Sequence, residues 1–151
     1  MAITGLLHVN INCSDFERSR AFYEVLGFEH FLAVAPTSTP EVAAAVGMPP
    51  YEVRGALMIL RGKGQPVMLD LLEWRDPRDD SPPYPHLYHL GIARIAFATD
   101  DLDAEMARLK AHEVEFLSEP ATVAITGAPV ISRFVCFRDP DGTILELVQS
   151  T

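Results

Sequence analysis

Two acidic residues stand in the middle of segments that are otherwise apolar. Asp70 lies within residues 67–71 (VMLDL), and Glu146 lies within residues 143–147 (TILEL). A carboxylate in an apolar strand is costly to bury unless it is paired with a cation or bound to a metal. The two positions therefore predict either a buried ion-pair network or a site that binds a ligand or a metal.

The same two residues belong to an internal repeat. Moving the chain by 76 positions places Asp70 on Glu146, and moving it by 86 positions places His8 on Arg94. The second shift also aligns the helix start, the apolar stripe and the strand order of two segments. We therefore predict two copies of a strand–helix–strand–strand–strand module. One polar group from each of four strands is expected to converge on a single point.

Hydrophobic periodicity and turn residues define the elements of the first copy. A capping box of Ser14 and Glu17 predicts the start of a helix, and Gly27 predicts its end. A Pro- and Ala-rich insertion covers residues 36–50, with a short helix expected at residues 41–46. The strands are predicted at residues 6–12, 28–33, 53–60 and 67–72.

A proline-rich segment, residues 74–90, separates the copies and is predicted to be a linker or lid. In the second copy, Asp100 is expected to cap a helix in which Leu102, Met106 and Leu109 share one face. The strands of this copy are predicted at residues 92–99, 114–117, 134–137 and 143–148.

Composition excludes several classes of partner. A chain of 151 residues with 48% hydrophobic content suits one compact domain. A net charge of −9 without a basic cluster argues against nucleic acid and against an anionic membrane surface. No apolar run is long enough to span a bilayer. We see no export signal, and both cysteines, Cys13 and Cys136, are expected to be small buried hydrophobes, so we expect a cytoplasmic protein.

Four stretches resemble the vicinal oxygen chelate family, the superfamily of glyoxalases, bleomycin-resistance proteins and dioxygenases. They are LLHVNINCSD around His8, FYEVLGF at 22–28, DDLD at 100–103 and DPDGTILEL at 139–147. The resemblance covers nearly the whole chain. It implies an α+β fold in which two tandem βαβββ modules form curved mixed sheets around a central cavity. The single domain would cover residues 1–151, with module one at about 4–74, the linker at about 75–90 and module two at about 91–150.

The resemblance also implies a set of ligand positions. Family members similar to glyoxalase I hold a metal through one residue from the first strand and one from the last strand of each module. His8 matches the first ligand, Asp70 the second and Glu146 the fourth. The third position is usually His but is Arg94 here, and a guanidinium has no lone pair to offer a metal.

Two interpretations of this departure remain open. In one, a divalent metal ion is held by His8, Asp70 and Glu146. In the other, which we favour, no cofactor is bound, because Arg94 replaces the metal and pairs with Glu146, Asp70 or both. Such a pair could also be only a buried ion-pair network without chemistry.

Roles follow from these positions and from strand alternation. His8, Arg94 and Glu146 are the candidate catalytic residues, with Arg94 as the electrophile and His8 or Glu146 as the general acid or base. Alternation places four further candidates for substrate binding on the same strand faces. They are Asn10, Asp70, Met68 and Leu72.

The implied function is an enzyme that stabilises an oxyanion or enolate on an oxygen-rich small molecule. Isomerase, epimerase, lyase or ring-forming chemistry would fit, whereas the missing second histidine disfavours glyoxalase I proper and a typical extradiol dioxygenase. The alternative is a metal-free protein that sequesters a ligand, as bleomycin-resistance proteins do. Because modules of this family commonly pair across chains, we also expect a homodimer.

Overall fold

The computed structural model describes residues 2–124, 127 and 131–150. The chain divides into two compact units, Met1–Ser81 and Pro82–Thr151, which we call module one and module two. Their boundary falls inside the linker predicted at residues 75–90. No helix within the described residues is long and apolar enough to cross a bilayer.

Module one contains one four-stranded mixed sheet in its described part. The strands have the spatial order β1-β4-β3-β2. β1 runs parallel to β4, whereas the other neighbouring strands are antiparallel. In chain order the elements are β1 (His8–Asn12), α1 (Phe16–Val25), β2 (Glu29–Ala33), α2 (Pro40–Ala45), β3 (Glu52–Leu60) and β4 (Val67–Asp76).

Module two repeats this arrangement, and its described residues contain no counterpart of the short second helix. Its strand order is β5-β8-β7-β6, again with one parallel pair, β5 and β8. The predicted tandem βαβββ fold, an α+β architecture with mixed sheets, is therefore confirmed. Its elements are β5 (Ile95–Ala98), α3 (Leu102–Ala111), β6 (Ala121–Ala124), β7 (Ile131–Arg138) and β8 (Ile144–Ser150).

The strand registers of the two modules correspond residue by residue. Asn10 lies opposite Asp70 in module one, and Ala96 lies opposite Glu146 in module two. These pairs are related by the same shifts of 86 and 76 positions that revealed the repeat in the sequence. The two acidic residues therefore occupy equivalent places in their sheets.

One face of each sheet is covered by its long helix. Leu71 of β4 and Tyr23 of α1 are completely buried, as are Leu145 of β8 and Leu109 of α3. Because side chains alternate along a strand, the residues next to these leucines point to the opposite face. Asp70 and Glu146 thus lie on the sheet faces turned away from the helices.

Both helix caps lie one residue later than the sequence predicts. Asp15, not Ser14, accepts a hydrogen bond from the backbone N–H of Arg18. In module two Asp101, not Asp100, accepts from the backbone N–H of residue 104. A carboxylate at this position also interacts favourably with the positive end of the helix.

Several predicted strands have different bounds. β4 continues past residue 72, because its ladder with β3 extends to Asp76. Residues 114–117 do not form a continuous strand: Phe116 makes an isolated antiparallel bridge with Phe137, and the N–H of Leu117 donates to the carbonyl of Cys136. The strand that follows is β6 instead. β5 begins at Ile95, so Arg94 directly precedes it.

Candidate functional site

Module one places His8 and Asp70 on the same face of neighbouring strands. His8 lies opposite Met68, and Asp70 lies two residues further along β4. The Oδ1 atom of Asp70 is buried and has no hydrogen-bond partner among the described residues. Burial raises the pKa of Asp70 above its ordinary value, and the nearby charge of His8 offsets this only in part. Asp70 is therefore a carboxyl group with an unsatisfied buried oxygen.

The asparagines of β1 fasten this strand to β4. The Nδ2 atom of Asn10 donates to the backbone oxygen of Asp70 at 2.8 Å. The Oδ1 atom of Asn12 accepts from Nε1 of Trp74 at 2.9 Å. The side-chain amide of Asn10, a candidate for substrate binding, thus already holds the backbone that carries Asp70.

Half-buried apolar side chains surround Asp70 on this face. Met68 and Leu72 flank it along β4, and Leu57 lies directly opposite it on β3. Leu57 is a lining residue that the sequence analysis missed, because only the register of β3 on β4 identifies it. A few polar groups within an apolar wall are typical of small-molecule sites.

Module two holds the predicted ion pair. The Nε atom of Arg94 lies 2.5 Å from Oε2 of Glu146. The Glu146 side chain is 9% exposed, whereas that of Arg94 is 43% exposed. A buried carboxylate therefore anchors one edge of a guanidinium that still reaches solvent. Charge-assisted pairs of this kind are among the stronger hydrogen bonds in proteins.

Cys136 is a third member of this cluster. It lies opposite Glu146 in the β7–β8 ladder, and its Sγ atom is 3.6 Å from Oε2 of Glu146. Burial and the neighbouring carboxylate raise the pKa of the Cys136 thiol, and Arg94 counteracts them. The sequence predicted only a small buried hydrophobe here, because the contact depends on a ladder that joins residues ten positions apart.

These residues fit a metal centre poorly. No group of three His, Cys, Asp or Glu side chains clusters within the described parts of the chain. Oε2 of Glu146 already accepts from Arg94 and contacts Cys136. Arg94 itself cannot act as a ligand. The donor chemistry of module two is that of an ion pair, whereas His8 and Asp70 of module one lie side by side without such a cation.

The candidate residues thus form two pairs, one in each module. His8 lies beside Asp70, and Arg94 binds Glu146. The convergence of both pairs on one cavity stays a prediction.

The comparison with known proteins establishes the family. Residues 5–147 match the family model described as the Glyoxalase/Bleomycin resistance protein/Dioxygenase superfamily. The chain belongs to this superfamily. It is 31% identical to the uncharacterized protein YwkD of Bacillus subtilis over 99% of both chains. It is also 31% identical to the uncharacterized protein YaeR of Escherichia coli, over 94% of this chain and 93% of the relative.

Solved structures share the fold. A glyoxalase family protein from Bacillus cereus matches with a TM-score of 0.74 and 21% identity, over 99% of this chain and 98% of the other. The fosfomycin resistance protein FosX from Listeria monocytogenes, complexed with Mn(II) and sulfate, matches with a TM-score of 0.63 and 20% identity. That match covers 99% of this chain and 94% of FosX. Both support the fold class rather than a particular activity.

Proposed function

We propose that the chain is a small-molecule enzyme of its superfamily in which a guanidinium takes the electrostatic role of a metal ion. Its substrate would carry neighbouring oxygen atoms, and an oxyanion or enolate would form during isomerase, epimerase, lyase or ring-forming chemistry. FosX, which shares the fold, forms a complex with Mn(II). Our proposal differs in that this chain would belong to a metal-independent branch of the superfamily.

The ion pair between Arg94 and Glu146 carries the proposal. Glu146 holds the guanidinium by its Nε edge at 2.5 Å, and the half-exposed side chain keeps donors for another oxygen. A preorganised cation that faces a developing negative charge is an effective electrophile. In this proposal Glu146 positions Arg94, and Arg94 binds the substrate oxygen.

Module one would supply the proton chemistry. His8 is the proposed general base, since it lies beside Asp70 on the face turned away from α1. Asp70, with its raised pKa and its unpartnered Oδ1, is suited to share a hydrogen bond with a bound substrate. The apolar side chains of Met68 and Leu72 would exclude water around it.

Metal analysis tests whether the guanidinium of Arg94 takes the place of a metal ion. Purified protein is expected to contain substoichiometric metal and to keep its ligand binding or activity in a chelator. Arg94→His should raise affinity for Mn(II) or Zn(II), because it rebuilds the usual third ligand. One tightly held metal per chain, with function lost on chelation, would return the chain to the metal-dependent branch.

A substrate screen separates catalysis from sequestration. Fosfomycin, α-hydroxyketones and α-ketoaldehyde adducts would be followed by proton NMR with the wild-type protein, Arg94→Lys and Arg94→Ala. Turnover that falls strongly even in Arg94→Lys supports a role for the planar guanidinium. Saturable binding without turnover would instead assign the chain to ligand sequestration, as in bleomycin-resistance proteins.

We further propose that the protein is a homodimer in the cytoplasm. Proteins of this fold class commonly associate, and the unpaired backbone groups of edge strands favour pairing between chains. Light scattering at micromolar concentration tests this assembly, and a mass equal to one chain would contradict it.

A further inference from the structure

A groove lies on the helix-bearing side of module one. It has a volume of about 830 Å³ and is lined by α1, β2, β3 and the start of the insertion that follows β2. His30 and Ala33 of its wall lie opposite Met58 and Ala56, which share the helix-facing side of the sheet. Asp70 points to the other side. The groove is therefore separate from the face that carries His8 and Asp70.

Cations outnumber anions along this groove, although the chain has a net charge of −9. Its described lining includes three arginines but only two glutamates, and His30 also lies there. The cationic residues are Arg20, Arg54 and Arg75. Such a reversal of sign in an acidic protein favours an anionic ligand at this place.

Module two shows which of these cations the fold itself requires. Arg54 pairs with Glu17 of α1, and the equivalent Arg133 pairs with Asp103 of α3 through two hydrogen bonds of 2.8 and 2.9 Å. This clamp between the helix and the middle strand occurs in both modules. Arg54 is thus explained by the fold.

Arg20 has no such explanation. The shift of 86 positions places it on Met106, which is a core residue at 4% exposure. The Nε atom of Arg20 is buried and makes no hydrogen bond. The Nε atom lies 3.4 Å from Oε1 of Glu24, and the Nη2 atom lies 3.5 Å from Oε2 of Glu17. Module one therefore keeps an arginine, paired with glutamates of its own helix but with an unsatisfied Nε–H, where its copy has a thioether.

The insertion gives the groove an apolar wall. Residues 34–51 join β2 to β3, whereas only residues 125–130 separate β6 from β7. Val34 and Pro36 from the start of the insertion line the groove together with Phe16 of α1. An apolar wall beside a cation fits a ligand that has both a charged group and a compact hydrophobic body.

We propose that this groove is a second ligand site, which binds a small organic anion with a carboxylate or phosphate group on a hydrophobic body. Arg20 would bind the anionic group, and the apolar wall would contact the body of the ligand. Arg75, whose Nε pairs with Glu73 at 3.2 Å, would support the anionic group with its exposed part. This site does not depend on the function proposed for Arg94 and Glu146.

Titration with benzoate and with phenyl phosphate at constant ionic strength tests the site. Two-dimensional NMR should show saturable shifts at Arg20, Val34 and neighbouring amides, with a Kd of about 1 mM or tighter. Benzyl alcohol, which is neutral, should bind at least tenfold more weakly. A preference between the two anions distinguishes a carboxylate site from a phosphate site.

Arg20→Met, which copies module two, should weaken anion binding at least tenfold. Arg20→Gln is the second variant, because it keeps a polar helical residue if methionine disturbs the fold. The control is Arg108→Met, which removes an arginine of α3 that is likewise paired with a glutamate on its own helix. Shifts that do not saturate in the wild type, shifts centred on Asp70, or full affinity in both Arg20 variants would overturn the proposal.

Discussion

The two modules attach their helices to their sheets at equivalent positions but with different side chains. In module one the carboxylate of Glu73 accepts a hydrogen bond from the backbone N–H of Phe16 at 2.9 Å. In module two the amide oxygen of Gln149 accepts from the N–H of Leu102 at 3.1 Å. Both pairs are related by the shifts of 76 and 86 positions. The fold thus needs an acceptor at this point, not a charge.

The charge of Glu73 brings further partners with it. Glu73 is 6% exposed, and Arg75 and Arg78 lie 3.2 and 3.6 Å from its Oε1 atom. Gln149 instead donates its amide group to the carbonyl of Asp100 at 2.9 Å. A buried carboxylate needs cations, whereas a half-buried amide needs only a donor and an acceptor.

The same contrast, with the modules exchanged, applies to the candidate site. Glu146 of module two has its cation, Arg94, at 2.5 Å. Among the described residues, Asp70 of module one has the charge of His8 nearby and keeps a buried oxygen without a hydrogen-bond partner. Duplication preserved the acidic positions, while their compensation diverged. The unsatisfied member is the one with capacity left for a ligand.

Removing the cation of module two should have the largest effect. Because Glu146 is buried, Arg94→Ala leaves a carboxylate uncompensated. A fully buried pair would cost about 3–5 kcal/mol to break. Since Arg94 is 43% exposed, we expect a loss of about 2 kcal/mol in the free energy of unfolding, measured with urea.

Two further variants control this measurement. Arg94→Ala combined with Glu146→Gln should recover much of the lost stability, because no unpaired charge remains. Arg108→Ala, at an exposed pair on α3, should change the free energy of unfolding little. If Arg94→Ala were as stable as Arg108→Ala, the pair would not compensate Glu146.

Exchanging the two helix acceptors should give asymmetric results. Gln149→Glu should lose about 1–2 kcal/mol, because it replaces the donor to Asp100 with a negative charge beside a carbonyl. Glu73→Gln should cost less, since an amide oxygen can still accept from Phe16. Urea unfolding of both variants measures the difference, and equal losses would contradict the comparison.

Asp70→Asn should stabilise module one in a pH-dependent way. The pKa of Asp70 is raised above 3.8 in the folded chain, so ionising this group disfavours folding as the pH rises through its folded value. Below pH 3.8 that contribution is absent. We expect a gain of less than about 1 kcal/mol at neutral pH, because solvent partly screens the carboxyl group. The urea midpoint of Asp70→Asn should match that of the wild type in acid and exceed it increasingly as the pH rises. A difference that does not change with pH would contradict this prediction.

The smallest expected effect is a shift in the pKa of the Cys136 thiol when the charge of Glu146 or Arg94 is removed. Alkylation of Cys136 measures this shift. Burial and Glu146 raise the pKa of this thiol, whereas Arg94 lowers it. Glu146→Gln should therefore move the pH profile of iodoacetamide labelling to lower pH, and Arg94→Ala should move it to higher pH. A Cys13→Ala background isolates the signal. Coincident profiles would show that the charges do not reach the sulfur atom.

Most of the fold was predictable because the signals are local and occur twice. Alternation in β1, the helix stripe around Leu109 and the acidic residue in β8 each depend on neighbours in sequence. The ion pair of Arg94 with Glu146 was predictable from charge chemistry combined with the repeat. The cap residues were wrong by one position, since both Ser14 and Asp15 are good caps and sequence alone does not rank them.

The remaining features depend on contacts between distant residues. The roles of Glu73 and Gln149 as helix acceptors require knowing which strand ends near each helix start. The groove around Arg20 requires the path of the insertion after β2. Residues 114–117 have a strand-like pattern, but they pair with β7 only through the isolated bridge of Phe116 with Phe137. In each case tertiary structure decides between locally acceptable alternatives.

The parallel pairing of β1 with β4 has a consequence for synthesis on the ribosome. Asn10 cannot meet Asp70 until some 60 further residues have been added, which takes about 3–12 s at ordinary elongation rates. During that interval β1 is an unpaired strand, but its alternating His8, Asn10 and Asn12 interrupt the apolar residues that would promote aggregation. We expect arrest-peptide measurements to register folding force only after β4 has left the exit tunnel. The polar stripe would then protect the nascent chain before it serves any ligand.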